Sequence, residues 1–224
     1  MESLMNFSSS QEDLPRTGTR RGGLPEKRRA IIQAARTVFG REGFTRTSVD
    51  AIAAEANVSK RTIYNHFTHK EHLFQTVILE GATQVAQAQA AIADRHLHKI
   101  VDIERDLIDF SLERVASLER FASHWALVRV IEAEATHIRP AVLEAWMEAG
   151  PRETLRILTW WMGDLTSRGL LRIDDTAVAA NLFNLVTFIS VAQPTFYGAI
   201  PIDGPDELVR NGVRAFLCLY LPYR

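Results

Sequence analysis

The most constraining feature of the chain is the segment at residues 45–71, which reads TRTSVDAIAAEANVSKRTIYNHFTHKE and predicts two short helices joined by a tight turn. Ser48 can cap the first helix, because its hydroxyl can accept a hydrogen bond from a free amide of the first turn. Asn57 tolerates the left-handed backbone on which many helices end, and Ser59 is a second candidate N-cap. This pattern predicts a helix-turn-helix, whose second helix enters the major groove of DNA.

The second of these helices has one apolar face and one polar face. Ile63 and Phe67 recur at helical spacing and predict the buried side. The remaining side chains point outward and can donate or accept hydrogen bonds. They are Lys60, Arg61, Thr62, Tyr64, Asn65 and His66.

The charge distribution agrees with a DNA-facing end. The net charge of the whole chain is only -1. Between Arg16 and Lys70, however, there are 12 basic residues and 4 acidic residues. A basic N-terminal part joined to an acidic remainder is typical of a protein that presents one end to nucleic acid.

The N-terminal residues 1–23 mix Ser, Arg, Gly and Pro without a period and predict a disordered basic tail. This tail is either an inert leader or a source of extra phosphate contacts. The single cysteine, Cys218, excludes an intrachain disulfide framework and any multi-cysteine metal site. With no long apolar run and no signal-peptide pattern, we expect a cytoplasmic protein that does not enter the membrane.

The fold class predicted is all-α, with an N-terminal three-helix DNA-binding domain at residues 24–70 and a helical ligand-binding and dimerisation domain at residues 71–224. No strand pattern is found downstream of the helix-turn-helix. Thr68 begins the sequence THKE, which predicts a capping box at the start of a long helix. Gly150 and Pro151 are expected to end or break a later helix.

In this order of elements, residues 25–75 resemble the N-terminal domain of the TetR family of transcriptional regulators. Asn57 and Arg61 stand where that family often has glycine. A weaker resemblance links the rest of the chain to the AefR-like branch, through RVIEAE at residues 129–134, Gly150-Pro151 and RGLLR at residues 168–172. The residues that carry the N-terminal resemblance are Ala34-Ala35, Phe39, Gly43-Phe44, Thr47-Ser48-Val49, Ile52-Ala53, Ala56, Val58-Ser59, Thr62-Ile63-Tyr64, His66-Phe67, Lys70-Glu71 and Leu73-Phe74.

The resemblance implies phosphate contacts by Thr47, Ser48, Tyr64 and Lys70. Base reading would fall to residues early in the second helix, since Lys and Arg suit guanine, Asn suits adenine and the Thr methyl meets thymine. The residues predicted to bind DNA are Thr47, Ser48, Ser59, Lys60, Arg61, Thr62, Tyr64, Asn65, His66 and Lys70.

A TetR-like body implies a ligand pocket between its helices and a homodimer formed by the last two helices. Aromatic residues favour an apolar or aromatic effector, although such residues are also common in plain cores. Arg129 could orient a ligand or pair with a neighbouring acid. The candidate ligand residues are Phe110, Trp125, Arg129, Trp146, Trp161 and Phe183. The candidate interface residues are Leu182, Leu185, Ile189, Val213, Phe216, Leu217 and Tyr220.

The function predicted is a ligand-responsive repressor that binds a palindromic double-stranded DNA operator as a homodimer and is released by a small-molecule effector. An activator of the same fold and a non-regulatory small-molecule-binding protein are the alternatives. No catalytic motif indicates an enzyme, and no cofactor is expected. His66, His69 and His72 do not share a helix face, so we expect no metal site.

Overall fold

The computed structural model describes residues 23–222, and within them all regular structure is helical, which confirms the predicted fold class. The predicted disordered tail lies, apart from Gly23, outside the described residues. No described helix is long and apolar enough to cross a membrane. The eleven α-helices are α1 Leu24–Glu42, α2 Val49–Glu55, α3 Lys60–His66, α4 Lys70–Leu97, α5 Ile103–Arg120, α6 Ala122–Glu134, α7 Pro140–Met147, α8 Glu153–Ser167, α9 Thr176–Asn184, α10 Ser190–Ala192 and α11 Pro205–Tyr220.

The helix ends around the helix-turn-helix follow the sequence prediction. The Ser48 hydroxyl caps α2 by accepting a hydrogen bond from the Ala51 amide at 3.1 Å, and the Ser59 hydroxyl caps α3 by accepting one from the Thr62 amide at 3.1 Å. Asn57, in the turn between them, has a φ of 51°. The short polar side chain that sequence favoured here therefore occupies the left-handed conformation.

The start of α4 differs from the prediction by one residue. The N-cap is His69, whose Nδ1 accepts a hydrogen bond from the His72 amide at 3.0 Å, and Thr68 lies outside the helix. An imidazole nitrogen can accept the bond that a serine or threonine oxygen usually takes. The predicted capping box at Thr68 was therefore wrong.

Among residues 23–222 no group of three metal-binding side chains is present.

The break predicted at Gly150-Pro151 was also wrong, because a π-helical turn at Glu148–Arg152 carries α7 directly into α8. Proline cannot donate the helical hydrogen bond of its own residue, and a wider turn accommodates that gap without ending the helix. Arg152 forms ion pairs with Glu144 and Glu148 on the outer surface of this turn. A second π turn at Leu185–Ile189 joins α9 to α10 in the same way.

The core of the head, by which we mean α1–α3, is shared with the rest of the chain, the body. Leu127 and Ile131 of α6, together with Ile138 and Val142, belong to the same buried cluster as the apolar residues of α1–α3. The predicted domain boundary at residue 70 stays a prediction, since this core continues across it. The head thus packs against α4 and α6, and its buried cluster extends to Val142 of α7.

Candidate functional site: the outer face of α3 and a buried cavity

The outer face of α3 carries polar side chains on an apolar base. Ile63 and the following Phe67 are buried, whereas Arg61, Tyr64 and Asn65 are exposed, Tyr64 by 48%. Because the apolar side is fixed in the core, the exposed side is presented in one orientation. This surface has the size and chemistry of a recognition helix.

Other predicted DNA residues have partners within the protein. The Lys60 ammonium donates to Asp50 at 2.9 Å, and this hydrogen bond raises the pKa of Lys60. The hydroxyls of Ser59 and Thr62 lie 2.8 Å apart. His66 is half-buried and its Nε2 has no protein partner. Lys60, Ser59 and Thr62 lie at or near the α3 surface, where each could exchange its protein partner for DNA, whereas Nε2 of His66 is buried.

Two predicted phosphate contacts have different placements from those expected. Thr47 is buried and its hydroxyl donates to the Gly43 carbonyl at 2.6 Å, so a phosphate contact by this side chain stays a prediction that would require this bond to break. The Lys70 ammonium donates to the carbonyls of Phe44, Thr45 and Thr47 at 2.9, 3.3 and 3.0 Å. An ammonium has three donors, so Lys70 is saturated by the loop before α2, and a phosphate contact would have to displace one of these carbonyls.

The body contains a cavity of about 280 Å³, close to the lower end of the range for sites that bind small organic molecules. It lies among α4, α5, α6, the continuous helix formed by α7 and α8, and the π turn after α9. Its walls are mainly apolar. The residues that line it are Ala82, Val85, Gln89, Arg114, His124, Trp125, Val128, Glu132, Trp146, Gly150, Pro151, Thr154, Leu155, Asn184, Phe188, Ile189 and Tyr197.

Arg114 is the most unusual residue of this wall, because its side chain is fully buried and only 1% exposed. Its Nε donates to Gln89 Oε1 at 2.8 Å and its Nη2 donates to Asn184 Oδ1 at 2.6 Å. The third nitrogen, Nη1, is buried without a partner. Burial lowers the pKa of Arg114 to about 9. Both hydrogen-bond partners are neutral amides, and the guanidinium also lies over the rings of Phe110 and Phe188, 5.5 and 4.9 Å from their centroids. These groups stabilise the charge without neutralising it.

Three further lining residues have buried polar atoms with no protein partner. They are His124 at Nδ1, and Trp125 and Trp146 at Nε1. Burial, with a smaller contribution from the charge of Arg36, lowers the pKa of His124 to about 4, so its imidazole is neutral at pH 7. An indole nitrogen can only donate. The residues that line the cavity therefore carry hydrogen-bond donors that the protein itself does not satisfy.

The loop after α10 forms one side of the cavity. Tyr197 stacks on Trp125 with ring centroids 5.2 Å apart, and its hydroxyl donates to Glu132 Oε1 at 2.5 Å. Burial and this bond to Glu132 raise the pKa of Tyr197. Phe196 and Tyr197 have φ values of 47° and 54°, a region that side-chain-bearing residues seldom adopt. Arg129 helps to hold this turn by donating to the Phe196 carbonyl at 2.9 Å.

Comparison with known proteins agrees with this pairing of a DNA-binding surface and a cavity. The family described as bacterial regulatory proteins, tetR family, matches residues 31–77, and the AefR-like transcriptional repressor C-terminal domain matches residues 107–222, more than half of the chain. The chain belongs to the TetR family. It is thus a DNA-binding transcriptional regulator and not an enzyme.

Individual TetR-family members resemble the chain over most of its length. The HTH-type transcriptional regulator UidR of Escherichia coli strain K12 is 26% identical over 197 residues, which are 85% of this chain and 90% of UidR. A putative TetR-family regulator from Mesorhizobium loti has a TM-score of 0.79 at 29% identity, covering 92% of this chain and all of that one. The Flavonoid-responsive Regulator FrrA has a TM-score of 0.62 at 27% identity, covering 89% and 100%.

Within this TetR-family body, sequence reasoning identified only part of the cavity wall. Trp125 and Trp146 line it. Phe110, Trp161 and Phe183 belong instead to a separate core cluster between α5, α8, α9 and α11 and do not line this cavity, so their part in ligand binding stays a prediction. Arg129, also predicted there, braces the loop after α10 and is not among the lining residues.

Arg114 is one of the lining residues that sequence reasoning missed, although a signal was present. It lies four residues after Phe110 and seven after Leu107, on the same helix face as these two buried residues. An arginine on the apolar side of an amphipathic helix is rare without a buried partner. Its amide partners Gln89 and Asn184 come from distant helices and could not be recognised from spacing.

The predicted interface residues divide into two groups. Val213, Phe216 and Leu217 are buried inside the chain's own core, so they have no surface to offer a partner and their prediction was wrong. α11 is amphipathic, and its larger apolar residues pack inward on α5 and α9. Leu182, Ile189 and Tyr220 are partly buried, and Ile189 lines the cavity. Leu185 is exposed by 46%.

Proposed function

We propose that this TetR-family protein is a homodimeric repressor that binds a palindromic operator through α3 and leaves it when a small aromatic effector occupies the cavity. The observation that carries the proposal is the double role of α6. Trp125 and Val128 of this helix line the cavity, whereas Leu127 and Ile131 pack in the core of the head. A ligand that moves α6 must therefore move the head or disrupt its core.

A direct hydrogen-bonded link supports the same coupling. Glu134, at the end of α6, accepts hydrogen bonds from the Thr45 amide and hydroxyl, in the loop that precedes α2. α4 is a second connection, because Phe74 near its start is in the head core and Val85 further along lines the cavity. A packed interior transmits such displacements because it has little free volume. Release requires that the effector bind one arrangement better than the other.

The proposed dimer interface is an exposed apolar surface on α9 and α11. Val178 and Leu182 of α9 and Leu185, the first residue of the π turn, share one face at helical spacing and are exposed or partly exposed. On α11, Leu208, Ala215 and Leu219 form a similar stripe on the side opposite the buried residues, and Leu219 is 63% exposed. Two such stripes meeting across a two-fold axis would form a four-helix contact. The dimer would then present two α3 helices about 34 Å apart.

Two comparisons support the regulatory details. The matched C-terminal family is described as that of a transcriptional repressor. FrrA, a relative of similar length, carries a name that makes it flavonoid-responsive, and flavonoids are flat aromatic molecules of the kind an apolar cavity accommodates. The aromatic walls of Trp125, Trp146 and Phe188 suit such a ligand.

The first experiment tests specific DNA binding and its direction of control. The full chain is titrated onto the DNA upstream of its own gene and onto scrambled DNA, at 50 and 200 mM salt. We expect specific binding that weakens about 10³-fold or more over this range, as phosphate contacts require. A reporter driven by the same DNA should be silenced by the protein. If the protein activated the reporter, it would be an activator and not a repressor. Equal affinity for scrambled DNA would contradict the whole proposal.

The second experiment tests the dimer. The substitutions L185E and L219E each place a charge in the proposed contact and are expected to dissociate it in analytical ultracentrifugation. V101E is the matched control, because Val101 is 84% exposed in the loop before α5 and belongs to neither α9 nor α11. A variant pair that stayed dimeric would mean that the partner contacts another surface.

A further inference from the structure

The guanidinium of Arg114, in the cavity wall, carries a positive charge that no acidic side chain in the described part of the chain neutralises. Among residues 23–222 no carboxylate forms an ion pair with this guanidinium. The acidic residue that lines the cavity, Glu132, is exposed, and its carboxylate accepts a hydrogen bond from the Tyr197 hydroxyl. A fully buried charge without a counterion is costly, because neutral hydrogen bonds replace only part of its hydration.

Four residues that line the cavity have a buried polar atom without a protein partner; three of these atoms can only donate, and the fourth is Nδ1 of the neutral His124. Nη1 of Arg114 and the indole nitrogens of Trp125 and Trp146 are all donors, all buried, and all without an acceptor in the protein. Buried donors are nearly always satisfied in proteins. A ligand that satisfied these groups would have to bring acceptor oxygens, and at least one of these oxygens would lie beside the guanidinium of Arg114.

The remaining wall specifies the rest of the ligand. Val85, Val128, Leu155 and Phe188 are apolar, and the volume of about 280 Å³ suits a compound of one or two rings. Flat rings also suit the Trp125 and Tyr197 pair, which already stack at an interplanar angle of 3°.

We propose that the effector is an aromatic carboxylate, whose carboxylate group pairs with Arg114 and whose ring lies between the apolar walls. The inference rests on the proposed function insofar as it takes the cavity to be the effector site. It narrows the effector from aromatic compounds in general to anionic ones. Arginine is suited to this task, because its planar fork matches the two oxygens of a carboxylate.

The binding test uses matched pairs of probes that differ only in charge. Benzoate, cinnamate and 1-naphthoate are each compared with their primary amides by isothermal titration calorimetry on the full chain at pH 7.5. For at least one pair we expect the acid to bind about tenfold or more tightly than the amide, which is the difference that a charge-assisted hydrogen bond provides. If no acid in the panel bound more tightly than its amide, the inference would be overturned.

Two substitutions assign the preference to Arg114. R114M keeps the length and apolar stem but removes the charge, and N184D places a carboxylate beside Nη2 and so supplies an internal counterion. Both should remove most of the tenfold preference, and N184D does so without removing the arginine, which covers the case that R114M fails to fold. R105M is the matched control, since Arg105 lies on the same helix as Arg114, its side chain is 82% exposed and it is not a lining residue. An undiminished preference in folded R114M or N184D would overturn the assignment.

Operator release separates this inference from the proposed function. The preferred acid and its amide are added to the protein–operator complex in a mobility-shift assay. An acid that binds through Arg114 but leaves operator affinity unchanged would refute release while leaving the anion site intact. An amide that releases the operator as well as its acid would refute the anion site while leaving release intact.

Discussion

Glu134, the last residue of α6, accepts hydrogen bonds from the amide and the hydroxyl of Thr45, at 2.8 and 2.6 Å, and so connects the body to the loop before α2. Burial alone would raise the pKa of Glu134, but the bonds from Thr45 hold it below its ordinary value. Gly43 makes the approach possible, because a Cβ at that position would lie 2.2 Å from Glu134 Oε1. Its φ of 86° also favours glycine.

The first prediction concerns this connection. E134Q removes the charge and replaces one acceptor oxygen by an amide, so the bonds from Thr45 weaken. We expect a loss of about 1 kcal/mol in the free energy of unfolding and a several-fold lower operator affinity, measured by chemical denaturation and fluorescence anisotropy. E119Q, on the exposed surface of α5, is the matched control. Unchanged operator affinity in E134Q would mean that the loop before α2 is positioned by Lys70 without help from α6.

The second prediction concerns the outer face of α3. Y64A and R61A remove exposed side chains, so both variants should keep the wild-type melting temperature and dimer state. Each is expected to weaken operator binding by about 1–3 kcal/mol if it reads a base. If the side chain contacts only a phosphate, its removal should instead reduce the slope of log affinity against log salt concentration by about one. Loss of dimerisation together with DNA binding would show that these side chains support the fold.

The third prediction concerns pH and His124. Because its folded-state pKa of about 4 lies below the ordinary value of 6.5, the unfolded chain takes up the proton first and stability falls as the pH drops from about 7 to 4. Linkage gives a loss of about 2 kcal/mol between pH 7 and pH 5. H124N should lack this part of the slope, whereas H98N, at an exposed position, should keep it. Identical slopes in H124N and wild type would contradict a buried neutral histidine.

The fourth prediction concerns the packing of α11 on the π turn after α9. A Cβ at Gly212 would lie 2.0 Å from the Val186 carbonyl oxygen, so G212A must push the two helices apart. We expect a loss of at least about 2 kcal/mol in the free energy of unfolding. G163A in α8 is the control, because its Cβ would meet no atom closer than 4.0 Å and alanine is the better helix former. It should be neutral or stabilising by about 0.5–1 kcal/mol.

The head could be predicted from sequence because its signals are local. A serine N-cap, a left-handed asparagine and an apolar residue every three or four positions each act within one or two helical turns, and Ser48, Asn57 and Ile63 all have the predicted roles. The start of α4 was displaced by one residue because an imidazole at His69 accepts the capping bond as readily as the hydroxyl of Thr68 would. Such a choice between neighbouring caps is too close in energy to read from residue type.

The body could be assigned to helices from its sequence, but not its cavity or its interface. Helical spacing identifies which residues are apolar; it does not tell whether a face meets the core, a cavity or a partner. Phe183 and Phe216 turned inward, whereas Leu185 remained exposed, because the neighbours that cover them come from distant helices.

The same reason explains Arg114. The sequence indicates that Arg114 lies on the apolar face of its helix. Its guanidinium, however, donates to Gln89, 25 residues earlier in the chain, and to Asn184, 70 residues later. Local chemistry therefore specified the helices and the polar outer face of α3. Only tertiary packing decided that a charged donor would be enclosed in the body without an acid, since burial and pairing depend on the helices around a residue and not on its sequence neighbours.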